Sequence, residues 1–230
     1  MHSPPIIDVI IPAYNEEKSL PKVIAEIPDF VRNVVVANNN STDRTGEVAQ
    51  SAGAEVVFEP QKGYGKACLA AMDWIKSREV QPDIVVFLDG DYSDYPEEMR
   101  ELVGQILNGN TDMVIGSRAL GQRENGSMTL PQVFGNWLAT TMMRYMQGAT
   151  FTDLGPFRAI LWGKLLELNM TDQDFGWTIE MQIKAHKAGL RYTEVPVNYR
   201  RRIGVSKVSG TVKGVVGAGY KIILTIFRYW

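Results

Sequence analysis

Ile84-Val85-Val86-Phe87-Leu88-Asp89-Gly90-Asp91 is the stretch that decides how this chain folds. Its apolar run is short, rich in β-branched residues and bounded by Pro82 and Gly90, so it reads as a buried strand that delivers two carboxylates to its C-terminal end. Asp89 and Asp91, with one small residue between them, suit a hard divalent cation such as Mg²⁺ or Mn²⁺, and that cation can in turn bind a diphosphate. Asp-Gly-Asp is also an ordinary turn sequence. The segments on either side decide between the two.

Working outward, the same unit recurs. Ile6 to Ile11 reads as a strand ending at Pro12, and Glu16 to Ile27 carries apolar residues at helical spacing. Val34 to Ala37 ends in the polar cluster Asn38 to Asp43, followed by a helix near Arg44 to Ala52 and a strand at Glu55 to Phe58. A glycine-rich turn at Lys62 to Lys66 leads into a helix over Ala67 to Ser77; beyond Asp91 come a helix around Pro96 to Leu107 and a strand at Asp112 to Ile115. Alternation of this kind predicts an open, mainly parallel sheet with ligands at the strand C-termini. In the second half, Leu130 to Met146 and Trp177 to Ala188 read as helices, the latter closed by Gly189. Thr152 to Ile160 reads as a turn into a strand, and Arg191 to Tyr199 as a strand.

The 230 residues, 45% hydrophobic and 22% charged, suffice for one large domain or a domain with an appendage, and disorder is not expected. A lone cysteine, Cys68, excludes an intramolecular disulfide, and no Cys/His cluster suggests zinc. Met1 to Pro5 lacks the charged and apolar regions of a secretory signal, so a reducing, cytoplasmic location is expected. The net charge of −2 conceals an asymmetry. After Glu194 there are seven basic residues and no acidic ones, leaving 17 basic against 26 acidic residues, a net of −9, before that point. A basic tail of this kind suits phosphates on a small ligand, on nucleic acid or on an anionic membrane.

Five segments in order give the chain a family resemblance: Ile11-Pro12-Ala13-Tyr14-Asn15-Glu16-Glu17, residues 38–45, Gly63-Tyr64-Gly65-Lys66-Ala67, Leu88 to Asp91, and Gly116-Ser117-Arg118. The chain resembles the inverting glycosyltransferases of family 2, with the GT-A fold, and within them the polyprenyl-phosphate (dolichyl-phosphate) mannosyl- and glucosyltransferases. Asp153-Leu154-Gly155-Pro156-Phe157-Arg158, Glu180 and Gly204-Val205-Ser206-Lys207 extend the likeness nearly to the end. The resemblance implies an α/β, Rossmann-like, open and mainly parallel sheet with helices on both faces. Residues 1–200 would form the GT-A domain, with a nucleotide-sugar half (1–120) and an acceptor half (121–200). Residues 201–230 would form a basic, amphipathic, membrane-associating segment.

The resemblance also implies roles. Pro12, Ala13, Tyr14 and Glu16 would hold the nucleotide, and Asn39 and Asp43 would meet the base. Asn38 and Asn39 stand where relatives often carry aspartates, and an amide donates as well as accepts, which leaves uridine and guanosine both open. Gly63 and Lys66 would let backbone and cation approach phosphate. The Walker and dinucleotide spacings are both absent there. Asp89 and Asp91 would hold Mg²⁺ or Mn²⁺. Arg118 would clamp a phosphate or sugar oxygen, and Arg158 and Lys207 would lie near acceptor or donor phosphate. Glu180 or Asp153 would be the base for a hydroxyl acceptor, and a phosphate acceptor needs none. Glu180 can equally be a packing-edge carboxylate paired with Lys184 on the same helix.

On a helical wheel for Thr211 to Trp230, Lys213, Lys221 and Arg228 fall on one strip, opposite Val215, Val216, Ile222, Ile223, Ile226 and Trp230. Such a helix is expected to lie on a membrane rather than span it, or else to dock on its own domain or a twin chain. The expected function is therefore hexose transfer from a nucleotide-diphosphate sugar, of UDP-glucose or GDP-mannose type, to a polyprenyl phosphate at a cytoplasmic membrane face. The alternatives are a soluble transferase acting on a hydroxyl, and a nucleotide-binding module without turnover. Nucleic acid is not an expected partner, because the tail lacks the interleaved aromatic and basic residues of a single-strand binder.

Overall fold

The structure, a computed structural model, describes residues 4–204 and 212–230; Lys207 and its expected phosphate contact lie outside them. Seven strands form one sheet: β1 (Ile7–Ala13), β2 (Val31–Asn38), β3 (Glu55–Phe58), β4 (Ile84–Phe87), β5 (Met113–Ser117), β6 (Arg158–Leu161) and β7 (Tyr192–Pro196). Their order is β3-β2-β1-β4-β6-β5-β7. Only β6 runs against its neighbours, being antiparallel to both β4 and β5; the remaining pairings are parallel. The ends of β1, β2, β4 and β5 therefore share one edge, and β1 is flanked by β2 on one side and β4 on the other. That reversal of strand order is where a crevice opens in sheets of this kind.

The eight helices described are α1 (Leu20–Ala25), α2 (Thr45–Ser51), α3 (Tyr64–Lys76), α4 (Met99–Leu107), α5 (Leu130–Gln147), α6 (Trp162–Glu167), α7 (Trp177–Lys187) and α8 (Val212–Arg228). All four residues of β4 are buried, which explains its unbroken apolar sequence: both faces of the sheet are covered. Ile84 and Val86 join the apolar layer beneath α1, α2 and α4, while Val85 and Phe87 join the one beneath α3, α5, α6 and α7. Asp89, two positions beyond this anchored strand and next to the buried Leu88, inherits a fixed position.

Several boundaries differ from the expected ones, for tertiary reasons. The first helix begins at Leu20 rather than Glu16, because Asn15 takes a left-handed φ of 56° and the chain is tied to the β2 loop. Glu16 N–H donates to Thr45 Oγ1 at 2.8 Å and Glu17 N–H to Asp43 Oδ2 at 3.2 Å. The six-residue α6 was not expected; its apolar contribution, Trp162 and Leu165, is shared with the core.

The tail helix docks on the domain, and its apolar residues divide between two sides. Ile226 is fully buried, Ile222 and Tyr229 are half-buried against the core, and Gln147 Nε2 at the end of α5 donates to Ile226 O. Lys221, expected on an open cationic strip, pairs with Asp172 at 3.1 Å. Tyr220, Leu224, Phe227 and Trp230 remain exposed. The single apolar side drawn from the sequence is thus corrected: much of it covers α5 and α7. Among the described residues, no helix is long and apolar enough to cross a membrane.

Candidate active site

At the reversal of strand order lies a crevice of about 380 Å³. Pro12 and Ala13 at the end of β1, and Tyr14 and Glu16 beyond it, form one wall, with Asp89 and Asp91 after β4 beside them. Gly63 and Tyr64 at the start of α3 close another side. Of the residues expected to hold the donor, Pro12, Ala13, Tyr14, Glu16, Asn39, Gly63, Asp89 and Asp91 line this one space. Asp43, Lys66, Arg118, Arg158 and Glu180 do not.

Asp91 is buried, and both its oxygens are engaged. Oδ1 accepts from the Ser93 N–H at 3.0 Å and from the Ser93 hydroxyl, while Oδ2 faces Arg202 Nη1 at 2.7 Å. The chain reaches this geometry through Tyr92, whose φ of 66° is unusual for a bulky residue. The conformation is held from above, because Arg200 stacks on the Tyr92 ring and donates to its carbonyl at 2.8 Å. Asp89 accepts from the Tyr64 hydroxyl at 3.1 Å. Burial, and then the Asp91 charge, raise the Asp89 carboxyl to about 6.

Two neighbouring carboxylates that repel one another in the crevice wall suit a hard cation. Among the described residues, no group of three or more acidic, histidine or cysteine side chains is arranged to hold a metal. A cation at Asp89 and Asp91 would therefore keep positions for other oxygens, such as those of a diphosphate.

The structure redirects several expected contacts. Gly63 and Gly65 admit protein backbone: a Cβ would lie 2.2 Å from Gln173 O at the first and 2.0 Å from Asp172 O at the second. Lys66 reaches Gln61 Oε1. The lysine in the crevice is Lys62, whose ammonium lies 4.4 Å from the Tyr14 ring centroid and donates to its hydroxyl at 2.7 Å. Asn39 spends its amide on the same loop, donating to Gln61 O at 2.7 Å and accepting from Gly63 N–H at 2.8 Å. Asn39 therefore braces this loop while lining the crevice. Asp43 caps the neighbouring turn, accepting from Thr45 and from the Glu17 N–H.

Arg158, expected near phosphate, is buried beneath the site and donates to the carbonyls of Thr178, Leu154 and Gly155. Burial lowers its pKa to about 10. Glu180 is fully buried, accepting from the Thr171 and Asp172 N–H groups and from the Tyr229 hydroxyl, and pairing with Lys184 at 2.8 Å. Burial would raise its pKa, but these donors hold it below the ordinary carboxylate range. It fastens α8 and the 171–175 loop, whose Asp174 and Phe175 reach the crevice. That placement corrects the expectation of a base.

Arg118 and Asp153 form a bidentate pair, with Nη2 to Oδ1 at 2.6 Å and Nε to Oδ2 at 2.9 Å. Burial alone would raise the Asp153 pKa. The Arg118 guanidinium and the N–H groups of Arg118 and Gly155 outweigh it and hold the carboxylate ionised. Sequence reasoning did not single out Lys62, Tyr64, Asp174, Phe175 or the particular arginine, Arg202, that meets Asp91. Lys62 and Tyr64 stood in or beside the glycine-rich segment without a role, while Asp174, Phe175 and Arg202 come from distant loops that no local pattern marks. Asp94 was missed as well: it is buried, with both oxygens lacking a hydrogen-bond partner. Burial, then the Asp89 charge, push it well above the ordinary range.

An open sheet with paired carboxylates at its strand-order reversal, over a crevice of this size, defines an α/β transferase of the GT-A type. The chain belongs to glycosyl transferase family 2, whose profile matches residues 8–167. It is 34% identical over 227 residues to an uncharacterized glycosyltransferase of Mycobacterium tuberculosis, covering 97% of this chain and 96% of the relative. It is 30% identical to the undecaprenyl-phosphate mannosyltransferase of Micrococcus luteus, over 90% of this chain and 88% of the relative. A dolichyl-phosphate hexose transferase of Haloferax volcanii is also 30% identical, over 87% and 85%. In fold, the chain matches glucosyl-3-phosphoglycerate synthase from M. tuberculosis, solved with Mn²⁺, UDP and glucosyl-3-phosphoglycerate. The TM-score is 0.76 at 22% identity, over 98% of this chain and 80% of that one. The chain is a glycosyltransferase.

Proposed function

We propose that the enzyme transfers a hexose, with inversion, from a nucleotide-diphosphate sugar of UDP-glucose or GDP-mannose type to a polyprenyl or dolichyl phosphate. One observation carries the choice of acceptor: the carboxylates expected to serve as base are both committed elsewhere. Asp153 is clamped by Arg118, and Glu180 lies outside the crevice among four donors. A hydroxyl nucleophile needs a base in the crevice, and Asp94, among the described residues the one buried carboxylate without a hydrogen-bond partner, does not line it. A phosphate oxygen is already ionised and needs only positioning. Relatives whose names specify undecaprenyl phosphate and dolichyl phosphate support the same reading.

In this reading Pro12, Ala13, Tyr14 and Lys62 seat the nucleotide, and Asp89 and Asp91 would hold Mg²⁺ or Mn²⁺, which neutralises charge on the departing diphosphate. Arg202 brings a second positive charge to the same carboxylates. The test incubates a panel of nucleotide sugars with a short polyprenyl phosphate, or with a soluble hydroxyl acceptor, and either metal. Lipid product is expected from one donor; product from the soluble arm alone would sink the lipid reading.

Metal binding should depend on pH through Asp89. Proton and cation compete for the same oxygens, so with a carboxyl near 6 the apparent metal affinity should be full above about pH 7. Below 6 it should fall by roughly tenfold per unit. Titration of Mn²⁺ between pH 5 and 8 checks this, and an affinity flat across that range would contradict it.

Membrane association at the cytoplasmic face belongs to the same proposal. The exposed Leu224, Phe227 and Trp230 of the basic tail support it. Leu224→Ser with Phe227→Ser should weaken sedimentation with anionic vesicles at least about tenfold, from the apolar area withdrawn from insertion. Point changes are the better test, because deleting the helix would also uncover α5 and α7. Unaltered sedimentation would remove the tail from the membrane interface.

A further inference from the structure

A second cavity, of about 310 Å³, has Asp153 in its wall and α5 along its length. Val133, Trp137, Thr140 and Arg144 fall on one helix face at spacings of four, three and four, and all line it; Arg123 faces them from the loop after β5. Asp153 is the only acid in that lining, and Arg118 already neutralises it. Neither Arg123 nor Arg144 pairs with a carboxylate among the described residues, and the polar contact made by the Arg123 guanidinium is with Met128 Sδ at 3.6 Å. The cavity is therefore lined by two guanidinium groups without a carboxylate partner, a charge that suits a phosphate monoester.

The same helix has the opposite character on the face that runs from Trp137 toward its N-terminus. Leu130, Phe134 and Trp137 are 85%, 60% and 58% exposed, and the rings of Phe134 and Trp137 lie 5.7 Å apart. Large apolar side chains left together at a surface mark a binding site. Trp137 belongs to both regions, so the apolar track begins at the cationic cavity. Asp153 in this wall is held by Arg118, which follows β5, and the C-terminal end of β5 lies at the same sheet edge as that of β4, which leads to Asp89.

We propose that the cavity is the acceptor's headgroup site: Arg123 and Arg144 take the phosphate of a lipid monophosphate, and Trp137, Phe134 and Leu130 carry the first units of its chain. The inference rests on the lipid-phosphate reading and adds to it a location and a set of residues. A soluble phosphate ester shares the headgroup chemistry and lacks the chain, which separates the two sources.

The test is calorimetric titration of the intact protein with farnesyl phosphate and with glycerol 3-phosphate, using UDP affinity in Mn²⁺ as the control for folding. The native protein should bind farnesyl phosphate at least about tenfold more tightly than glycerol 3-phosphate, from the apolar area covered. Arg123→Gln and Arg144→Gln should each weaken farnesyl phosphate by about tenfold, the usual scale for a charge-assisted hydrogen bond. Trp137→Ala should weaken farnesyl phosphate while leaving glycerol 3-phosphate alone. Native affinity in either arginine variant overturns the anion site, and equal affinity for the two esters overturns the apolar track. Failure of the proposed function would appear separately, as the absence of lipid product from every nucleotide sugar.

Discussion

Asp91→Ala is expected to lower sugar transfer by about a thousandfold while leaving the protein folded. The magnitude is that of removing a group which stabilises charge developing in the transition state. Asp91 follows the last buried strand residue and makes its contacts with Ser93 and Arg202, not with the apolar layers. The change should therefore leave thermal unfolding within a few degrees of the native value, and steady-state transfer measured with saturating Mn²⁺ should carry the whole effect. Turnover within threefold of native would falsify the assignment of this carboxylate. Arg202→Gln separates charge from coordination: it removes the counterion of Asp91 but leaves both carboxylates for a metal, so it should cost transfer less than the aspartate change does.

The second large effect concerns stability. Arg118→Ala leaves Asp153 as a buried charge without its partner, a loss on the order of 3–5 kcal/mol. For a chain of this size that corresponds to a fall in melting temperature of about 10 °C. Combining it with Asp153→Asn should recover part of the loss, since the uncompensated charge is gone, and the two changes are then non-additive. Thermal unfolding of both single variants and the double variant gives the coupling directly. Additive losses would mean that the pair is not what holds this corner of the sheet. Transfer should fall in the two variants that lack Arg118, whose positive charge favours the ionised form of Asp89.

The core of the fold was legible because β4 is apolar on both faces and ends at a carboxylate, a pattern that only a covered, mainly parallel sheet explains. The first half reads well for the same reason, with strand, turn and helix repeating at close intervals. The antiparallel insertion of β6 between β4 and β5 was not legible, since its pairings, such as Ile115 with Arg158 and Ile84 with Leu161, join residues far apart in sequence. The division of α8 into a docked and an exposed side was hidden too: a helical wheel shows which residues share a face, not what stands opposite it.

By itself the sequence determined that Asp89 and Asp91 follow a buried strand, where the neighbouring strands stop, and that positive charge is concentrated after Glu194. These are local facts, fixed by periodicity, turn chemistry and composition. Only the tertiary structure decided which charged groups are free to act. Glu180 and Asp153 are carboxylates whose oxygens are bound by donors from distant segments, and Gly63 and Gly65 make room for the crossing backbone of Gln173 and Asp172. Arg202 meets Asp91 across 111 positions of sequence. A charge's availability depends on its partners, and those partners are brought together by packing of the sheet and its loops, which no window of sequence contains.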